Sequence, residues 1–305
     1  MTRYALLCPG QGAQHAGLFA LVSNEPAAAP VLAAARSVLR HDPNALAADR
    51  VAACSNENAQ PLIVAAAVAA WRALQRDLPP PDAIAGYSVG ELSAYGCAES
   101  FDLDDLFGVV GERARLMSEA APPESGLVSV RGAPHDSIQA LCASAGVHVA
   151  IIIATDHCVV GGARAGLERF VATATTQGAQ VRELPVTVPA HTPLLEEAAT
   201  RFRRVLVESK LAPPRHPVLS GIDGRARAER AAIIDALAAQ VAAPVSWHLC
   251  MRSLIERRCS VFLELPPGRA LSQMLRDQYP DVEARAIEEF RSLDGARDWL
   301  SRRLA

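Results

Sequence analysis

Asp82-Ala-Ile-Ala-Gly86-Tyr-Ser88-Val-Gly90-Glu91 is the stretch of sequence that decides the fold. Its first residues form a short apolar run that predicts a buried strand, and the residues after Ser88 predict the start of a helix. Between them, Gly86-x-Ser88-x-Gly90 has the pattern of a nucleophile elbow, in which two glycines permit the sharp turn that exposes a serine hydroxyl. The stretch therefore predicts an α/β fold with Ser88 as a candidate nucleophile.

A purely structural alternative exists for the same residues. Ser88-x-x-Glu91 is also a capping box, in which the serine and the glutamate satisfy backbone N–H groups at the start of a helix. The sequence alone leaves both interpretations open.

Outward from the elbow, the chain continues as strands and helices. Tyr4–Cys8 predicts a second buried strand that ends at Pro9-Gly10. Pro61–Gln75 predicts an Ala-rich helix with proline near its start, and Leu103–Ala120 predicts a longer helix with apolar residues at helical spacing.

A different pattern follows the linker that ends at Gly126. From there to about residue 188 the predicted order is β-α-β-β-α-β, which is the ferredoxin-like split unit. We therefore expect an α/β-hydrolase-like large domain formed by residues 1–125 and 189–305. A ferredoxin-like small subdomain, residues 126–188, is expected as an insertion.

A serine nucleophile needs a base, and His191 is the best candidate. It lies in the Pro-bounded segment Val186–Pro193, at the expected junction of the two parts, where catalytic residues often lie. The alternative is an ordinary surface histidine. No pair of histidines has metal-ligand spacing, so no metal site is expected.

Composition excludes several classes of function. The 305 residues carry a net charge of −3, which gives no global attraction to nucleic acid or to an anionic membrane. The longest apolar run, Leu62–Trp71, is too short for a bilayer span of roughly 20 residues. The seven cysteines are scattered and do not occur in regularly spaced pairs, which indicates reduced thiols in a cytoplasmic protein.

Six motifs, in order over nearly the whole chain, resemble the malonyl-CoA:acyl carrier protein transacylase family, which includes the acyltransferase domains of polyketide synthases. They are Pro9–Gln14, the elbow Gly86–Glu91, Arg113–Met117, Pro185–His191, Gln240 with Pro244–Trp247, and Phe262–Leu271. Any one of these is weak evidence, but six in the correct order form a specific pattern.

The resemblance assigns roles to five matching residues. It implies Ser88 as nucleophile and His191 as general base, with the base oriented by the backbone carbonyl of Gln240 rather than by a carboxylate. It also implies that the backbone N–H groups of Gln11 and Val89 form an oxyanion hole.

The resemblance further assigns Arg113 to the carboxylate of a malonyl group, which a planar guanidinium can bind through both oxygens. Without the resemblance, Arg113 would be interpreted as a surface charge on a helix. Arg115 lies two residues away and points to a different helix face. Tyr87 replaces the family's usual histidine beside the acyl pocket, and Thr155–Cys158 replaces its Asn-x-Pro-x-Gln segment.

The implied function is ping-pong transfer of a malonyl group from malonyl-CoA to the phosphopantetheine-type thiol of an acyl carrier protein. The resemblance implies no metal or redox cofactor, and family members are often monomers. Tyr87, Cys97 and Leu219–Gly224 are more similar to free-standing transacylases of malonate decarboxylase or specialised clusters than to the fatty-acid enzyme.

Three rival functions stay open at this point. They are a serine thioesterase or hydrolase acting on acyl-CoA, an acyltransferase with a different acyl donor, and a non-enzymatic subunit that docks a carrier protein. The sequence also leaves open malonyl against methylmalonyl, and whether the pathway is fatty acid, polyketide or malonate decarboxylase.

Overall fold

The computed structural model describes residues 2–305, without the side chain of Asp77, as a mixed α/β fold built on two β-sheets. The strands are β1 (Arg3–Cys8), β2 (Ala83–Gly86), β3 (Ser125–Arg131), β4 (His148–Ala154), β5 (His157–Ala163), β6 (Gln180–Glu183), β7 (Val218–Leu219), β8 (Val245–Ser246), β9 (Cys259–Glu264) and β10 (Glu283–Ala286). The α-helices are α1 (Ala29–Leu39), α2 (Pro43–Ala48), α3 (Arg50–Cys54), α4 (Asn56–Leu74), α5 (Gly90–Cys97), α6 (Leu103–Ala120), α7 (His135–Ala145), α8 (Arg164–Thr176), α9 (Glu196–Glu208), α10 (Arg230–Ala242), α11 (Trp247–Glu256), α12 (Ala270–Gln278) and α13 (Leu293–Leu304).

The first sheet is parallel throughout and has the order β10-β9-β1-β2-β7. Its central strand β1 is almost entirely buried, as expected for a strand covered by helices on both faces. Because the carboxyl ends of parallel strands meet at one edge of a sheet, the loops after β1, β2, β7 and β9 lie together. Ligands of open α/β sheets bind at this edge.

The second sheet has the order β6-β3-β5-β4-β8. Its first four strands pair antiparallel, and β8 adds to β4 in parallel. Alternation along the strands gives the sheet two different faces. Val128, Val130 and Val160 pack beneath α7 and α8 in a small separate core, whereas Leu127 and Val159 face the main core of the molecule.

The helix predicted for Pro61–Gln75 begins earlier, at Asn56. The polar residues before Pro61 resemble a loop in sequence. Asn56 is nevertheless buried. Its side-chain amide has a partner there, since it donates to the Ala114 carbonyl on α6 at 2.8 Å. Pro61 therefore lies inside α4 rather than at its start.

Two features complete the fold. All seven cysteines are free thiols, and six of them are buried. Within residues 2–305, none of the helices combines the length and the apolar character that crossing a bilayer requires.

Gly90 holds the elbow against the central strand, and its replacement tests how closely they pack. A Cβ at this position would lie 2.1 Å from the Cys8 carbonyl oxygen and 2.6 Å from that of Pro9. Gly90→Ala is expected to lower the free energy of unfolding by about 3 kcal/mol or more, measured by urea denaturation.

Gly108→Ala is the matched control, because Gly108 is exposed on α6 and a Cβ there meets nothing within 4 Å. It should stabilise the chain by about 0.5–1 kcal/mol, since alanine favours the helix. Equal stability of the two variants would contradict the close approach at Gly90.

Candidate active site

The segment between β2 and α5 turns sharply at Ser88. The strand ends at Gly86, and the helix begins at Gly90. A Cβ on Gly86 would lie 2.1 Å from the Gly90 carbonyl oxygen, so only glycine fits at this point. Ser88 itself has φ +58°, the left-handed region that non-glycine residues seldom adopt. Strain of this kind concentrates at functional sites.

Ser88, His191 and Gln240 form a continuous hydrogen-bonded chain. His191 Nε2 lies 2.7 Å from Ser88 Oγ, and His191 Nδ1 lies 2.5 Å from the backbone carbonyl oxygen of Gln240. A carbonyl oxygen only accepts, so Nδ1 carries the hydrogen and Nε2 is left to accept from the serine hydroxyl. His191 is 1% exposed, so its interpretation as a surface residue is wrong.

Burial lowers the pKa of His191 to about 3, and the charge of nearby Arg113 acts in the same direction. The hydrogen bond to the Gln240 carbonyl opposes both effects. His191 is therefore neutral at physiological pH and has a free lone pair on Nε2, which is the state that a general base needs.

A pH profile tests this state of His191. An imidazole with a pKa near 6.5 would retain only about a tenth of its basic form at pH 5.5. Because the pKa of His191 is lowered far below that value, the second-order rate of Ser88 acylation by malonyl-CoA is expected to change little between pH 7.5 and 5.5. Quenched-flow mass spectrometry at each pH measures this rate.

Glu91→Gln is the control in that experiment, because Glu91 titrates close by. A step near pH 7 that disappears in this variant belongs to Glu91. A roughly tenfold fall centred near pH 6.5 that persists in the variant would contradict the low pKa of His191.

The capping-box interpretation of Ser88 and Glu91 is wrong. Within the described residues α5 has no side-chain cap, and the Ser88 hydroxyl lies against His191 instead. Glu91 points away from the turn, and its Oε2 accepts from the Gly221 N–H at 2.8 Å and from the side-chain amide of Gln240. Burial raises the pKa of Glu91 to about 7.

Arg113 lies on α6 and is 2% exposed, so its interpretation as a surface charge is also wrong. Its guanidinium donates to Gln60 Oε1 at 2.6 Å and to Gln240 Oε1 at 3.2 Å. Burial lowers the pKa of Arg113 to about 10, while the charge of Glu91 opposes the shift. Arg113 is thus a charged group held in place mainly by neutral amides.

Arg115 has the opposite environment. It is half-exposed and forms ion pairs with Glu112 and Glu119 on its own helix. The prediction that Arg115 points to a different face from Arg113 is confirmed.

Sequence reasoning missed three residues that hold the site: Asn56, Gln60 and Glu91. Asn56 Oδ1 accepts from the side-chain amides of Gln60 at 2.9 Å and Gln11 at 3.3 Å. Asn56 and Gln60 are four residues apart on one face of α4, next to its long apolar run. Two amides in that position were the available signal, because buried amides need partners.

Two backbone N–H groups at the edge of the first sheet have no acceptor. Among the described residues, neither the Gln11 N–H after β1 nor the Val89 N–H after Ser88 donates a hydrogen bond to the protein. The Gln11 side chain is tied to Asn56 on α4, which fixes the loop. Unpaired N–H groups beside a serine hydroxyl can stabilise a developing oxyanion.

A cavity of about 610 Å³ opens beside the elbow, between the two sheets. Gln11 and Tyr87 line one side of it, and strands β3, β5 and β6 line the other. The Tyr87 ring packs edge-on against Trp247, with the ring centroids 5.4 Å apart. Tyr87 therefore forms part of the wall next to Ser88. Residues 2–305 contain no group of three or more His, Cys, Asp or Glu side chains that could hold a metal ion.

The fold and these contacts define the class of protein: an α/β protein with a serine on a nucleophile elbow, paired with a buried histidine. Comparison with known families then gives a direct result. Residues 5–292 match the model of the acyl transferase domain. The chain belongs to this family and is an acyltransferase.

Similar proteins cover the chain almost end to end. It is 30% identical over 306 residues to the malonyl CoA-acyl carrier protein transacylase of Salmonella typhimurium, covering 97% of this chain and 99% of that protein. It is 32% identical over 299 residues to the protein of the same name from Mycobacterium tuberculosis, covering 95% and 98%.

Solved structures give the same result. The malonyl-CoA:acyl carrier protein transacylase of Xanthomonas oryzae matches with a TM-score of 0.92 at 30% identity, over 98% of this chain and 99% of that one. A malonyl-transacylase solved in complex with its type II polyketide synthase acyl-carrier protein matches with a TM-score of 0.92 at 29% identity, over 97% and 99%.

Proposed function

We propose that this acyltransferase moves a malonyl group from malonyl-CoA to the phosphopantetheine-type thiol of an acyl carrier protein, through an ester on Ser88. The observation that carries the proposal is the placement of Gln240. Its backbone carbonyl holds His191, and its side-chain oxygen holds the buried Arg113. One residue thus joins a nucleophile–base pair to a carboxylate-binding cation.

In the first half-reaction, Ser88 Oγ attacks the thioester carbonyl carbon while His191 Nε2 takes the hydroxyl proton. The oxyanion that forms accepts hydrogen bonds from the N–H groups of Gln11 and Val89. Loss of one such donor typically costs about 10²–10³ in rate. The carbon–sulfur bond then breaks, and the proton on His191 passes to the leaving sulfur of coenzyme A.

The second half-reaction runs the same steps in reverse. His191 takes the proton of the carrier protein's thiol as its sulfur attacks the Ser88 ester. The tetrahedral intermediate collapses, the carbon–oxygen bond to Ser88 breaks, and the serine recovers its proton from His191. The thioester is rebuilt, so the energy of the bond is conserved and no redox cofactor takes part.

Arg113 gives the reaction its preference for a dicarboxylic acyl group. Its present partners are two neutral amide oxygens, which leave much of its charge uncompensated in a buried site. A malonyl carboxylate restores that balance with charge-assisted hydrogen bonds, whereas an acetyl group offers nothing to the guanidinium.

The finer architecture is part of the proposal. The parallel sheet and its helices suit an α/β-hydrolase-like large domain of residues 1–125 and 189–305. The antiparallel order β6-β3-β5-β4 suits a ferredoxin-like subdomain at 126–188. We also propose that the chain acts as a monomer. Its free thiols are typical of a reducing compartment, so we propose that it lies in the cytoplasm.

The lifetime of the acyl-enzyme tests the function. The chain is exposed briefly to malonyl-CoA, freed of excess donor, and divided between buffer and a carrier protein that bears its phosphopantetheine arm. We expect the malonyl ester to persist in buffer and to pass to the carrier within the mixing time.

Three other outcomes would each support a rival. Rapid loss of the ester to water in both samples indicates a thioesterase. Labelling by acetyl-CoA or methylmalonyl-CoA in preference to malonyl-CoA indicates another donor. No ester with any donor indicates a carrier-docking subunit.

A further inference from the structure

The face of the second sheet that lines the cavity is polar and cationic at one end. Strand alternation sends Val128 and Val130 of β3 toward α7 and α8, and sends Ser129 and Arg131 toward the cavity. We call the following five residues the cleft face: Ser129, Arg131, His157, Gln180 and Arg182, all of which line the cavity.

The register of the strands places the two arginines of the cleft face close together. Arg182 on β6 lies opposite Ser129, and Arg131 lies opposite Gln180. Arg131 and Arg182 are therefore diagonal neighbours on adjacent antiparallel strands, with Cα atoms roughly 7–8 Å apart, within reach of long side chains. Two like charges in this arrangement repel each other unless an anion lies between them.

In the part of the chain that the structure describes, no carboxylate serves as such an anion at the cleft face. Among the described residues, neither Arg131 nor Arg182 has a carboxylate within 4.0 Å, although many other arginines of this chain are ion-paired. Glu183, the neighbour of Arg182, pairs with Arg164 instead. Glu264 also lines the cavity, but its oxygens accept from two backbone N–H groups at the start of α12.

His157 orients Arg131. Its Nε2 lies 3.1 Å from Ser129 Oγ and accepts from Arg131 Nε at 3.4 Å, which leaves the end of the guanidinium free. Burial and the charge of Arg131 lower the pKa of His157 to about 4, so the ring is neutral and can accept this bond. His157 belongs to the segment in which the sequence departs from the family pattern.

The same cavity extends from the cleft face to Tyr87, which precedes Ser88 on the elbow. Gln11 and Tyr87 line its other side, and the apolar side chains of Ile153 and Val159 also contribute to its wall. A ligand whose acyl group reaches Ser88 can therefore lie along the apolar wall of the cavity. Its far end then lies at Arg131 and Arg182. Paired guanidinium groups are well suited to phosphate, because their planar forks match its oxygens.

We propose that Arg131 and Arg182, with Arg131 held by His157, bind a phosphate group at the far end of the thiol-bearing arm that delivers or accepts the acyl group at Ser88. The inference rests on the proposed function. The phosphate has two possible sources, coenzyme A as donor and the carrier-linked arm as acceptor, which the two half-reactions separate.

The test compares the native chain with the double variant Arg131→Gln/Arg182→Gln, which removes both charges and keeps side-chain length. Acylation of Ser88 is measured with malonyl-CoA and with malonyl-pantetheine, which lacks phosphate. Release of the acyl group is measured with the holo carrier protein and with pantetheine. The control is Arg164→Gln, which lies on the same subdomain but pairs with Glu183 at 3.3 Å.

We expect the double variant to lose about 10- to 100-fold in second-order rate with a phosphorylated substrate and to keep its rate with the phosphate-free one. Loss with malonyl-CoA assigns the site to the donor, and loss with the holo carrier protein assigns it to the acceptor. The loss should shrink at high salt, because the arginines are exposed. Arg164→Gln should match the native chain throughout.

Two results would overturn the inference. Equal losses with phosphorylated and phosphate-free substrates would mean that the arginines act on the fold, and no loss with any substrate would mean that they bind nothing. Failure of the native chain to take malonyl from either thioester is a different result, which would overturn the proposed function together with this inference.

Discussion

Ser88→Ala is expected to abolish the acyl-enzyme and to lower the transfer rate by roughly 10⁴-fold or more, because it removes the hydroxyl oxygen at which we propose that the ester forms. Among the described residues, Ser88 Oγ is the one hydroxyl that is hydrogen-bonded to His191 Nε2, at 2.7 Å. Intact-protein mass spectrometry after brief exposure to malonyl-CoA should show a gain of one malonyl group on the native chain and none on the variant.

Ser93→Ala is the matched control for that experiment. Ser93 is a fully buried serine on α5, and among the described residues its hydroxyl has no hydrogen-bond partner. Its removal should leave labelling intact. Persistent labelling of Ser88→Ala, or loss of labelling in Ser93→Ala, would place the ester elsewhere.

Arg113→Ala is expected to reverse the donor preference. The variant lacks the charge-assisted contact that we propose for the malonyl carboxylate, so its rate of acylation by malonyl-CoA should fall about 10²–10³-fold. Acylation by acetyl-CoA should stay unchanged or rise, because the penalty of a buried cation without a carboxylate partner disappears with the side chain. The ratio of the two rates, measured by mass spectrometry on one preparation, is the readout.

Arg115→Ala controls for the loss of an arginine from the same helix. Arg115 is half-exposed and pairs with Glu112 and Glu119 on its own helix, so its removal should leave both donor rates unchanged. Thermal melts show whether Arg113→Ala is folded, since Gln60 and Gln240 each lose a donor there. Equal losses with malonyl-CoA and acetyl-CoA would show that Arg113 supports the site as a whole rather than the carboxylate.

Much of the site could be predicted because its signals are local in sequence. The glycines around Ser88 are dictated by contacts within a few residues and with β1, and they have a recognisable spacing. The helix Leu103–Ala120 has the predicted bounds, because its apolar residues recur at helical spacing within the segment. Both predictions used information that does not depend on distant parts of the chain.

The missed residues depend on distant partners. Gln60 meets Arg113 across 53 positions, and Glu91 meets Gln240 across 149. Asn56 and its neighbours have the composition of a loop, yet contacts with α6 bury Asn56 and extend α4 through it. The polar network beneath the elbow therefore forms through tertiary contacts. Its local trace in the sequence is limited to the amides Asn56 and Gln60, four residues apart on α4.

The anchor of His191 is a peptide carbonyl, and this has a consequence for how the protein can evolve. A point mutation can delete the aspartate of a conventional triad, but every amino acid at position 240 still brings the same main-chain oxygen. The side chain of Gln240 is meanwhile what contacts Arg113 and Glu91. Substitutions at position 240 can therefore change the surroundings of Arg113, and with them the acyl selectivity, while the carbonyl that orients His191 is kept.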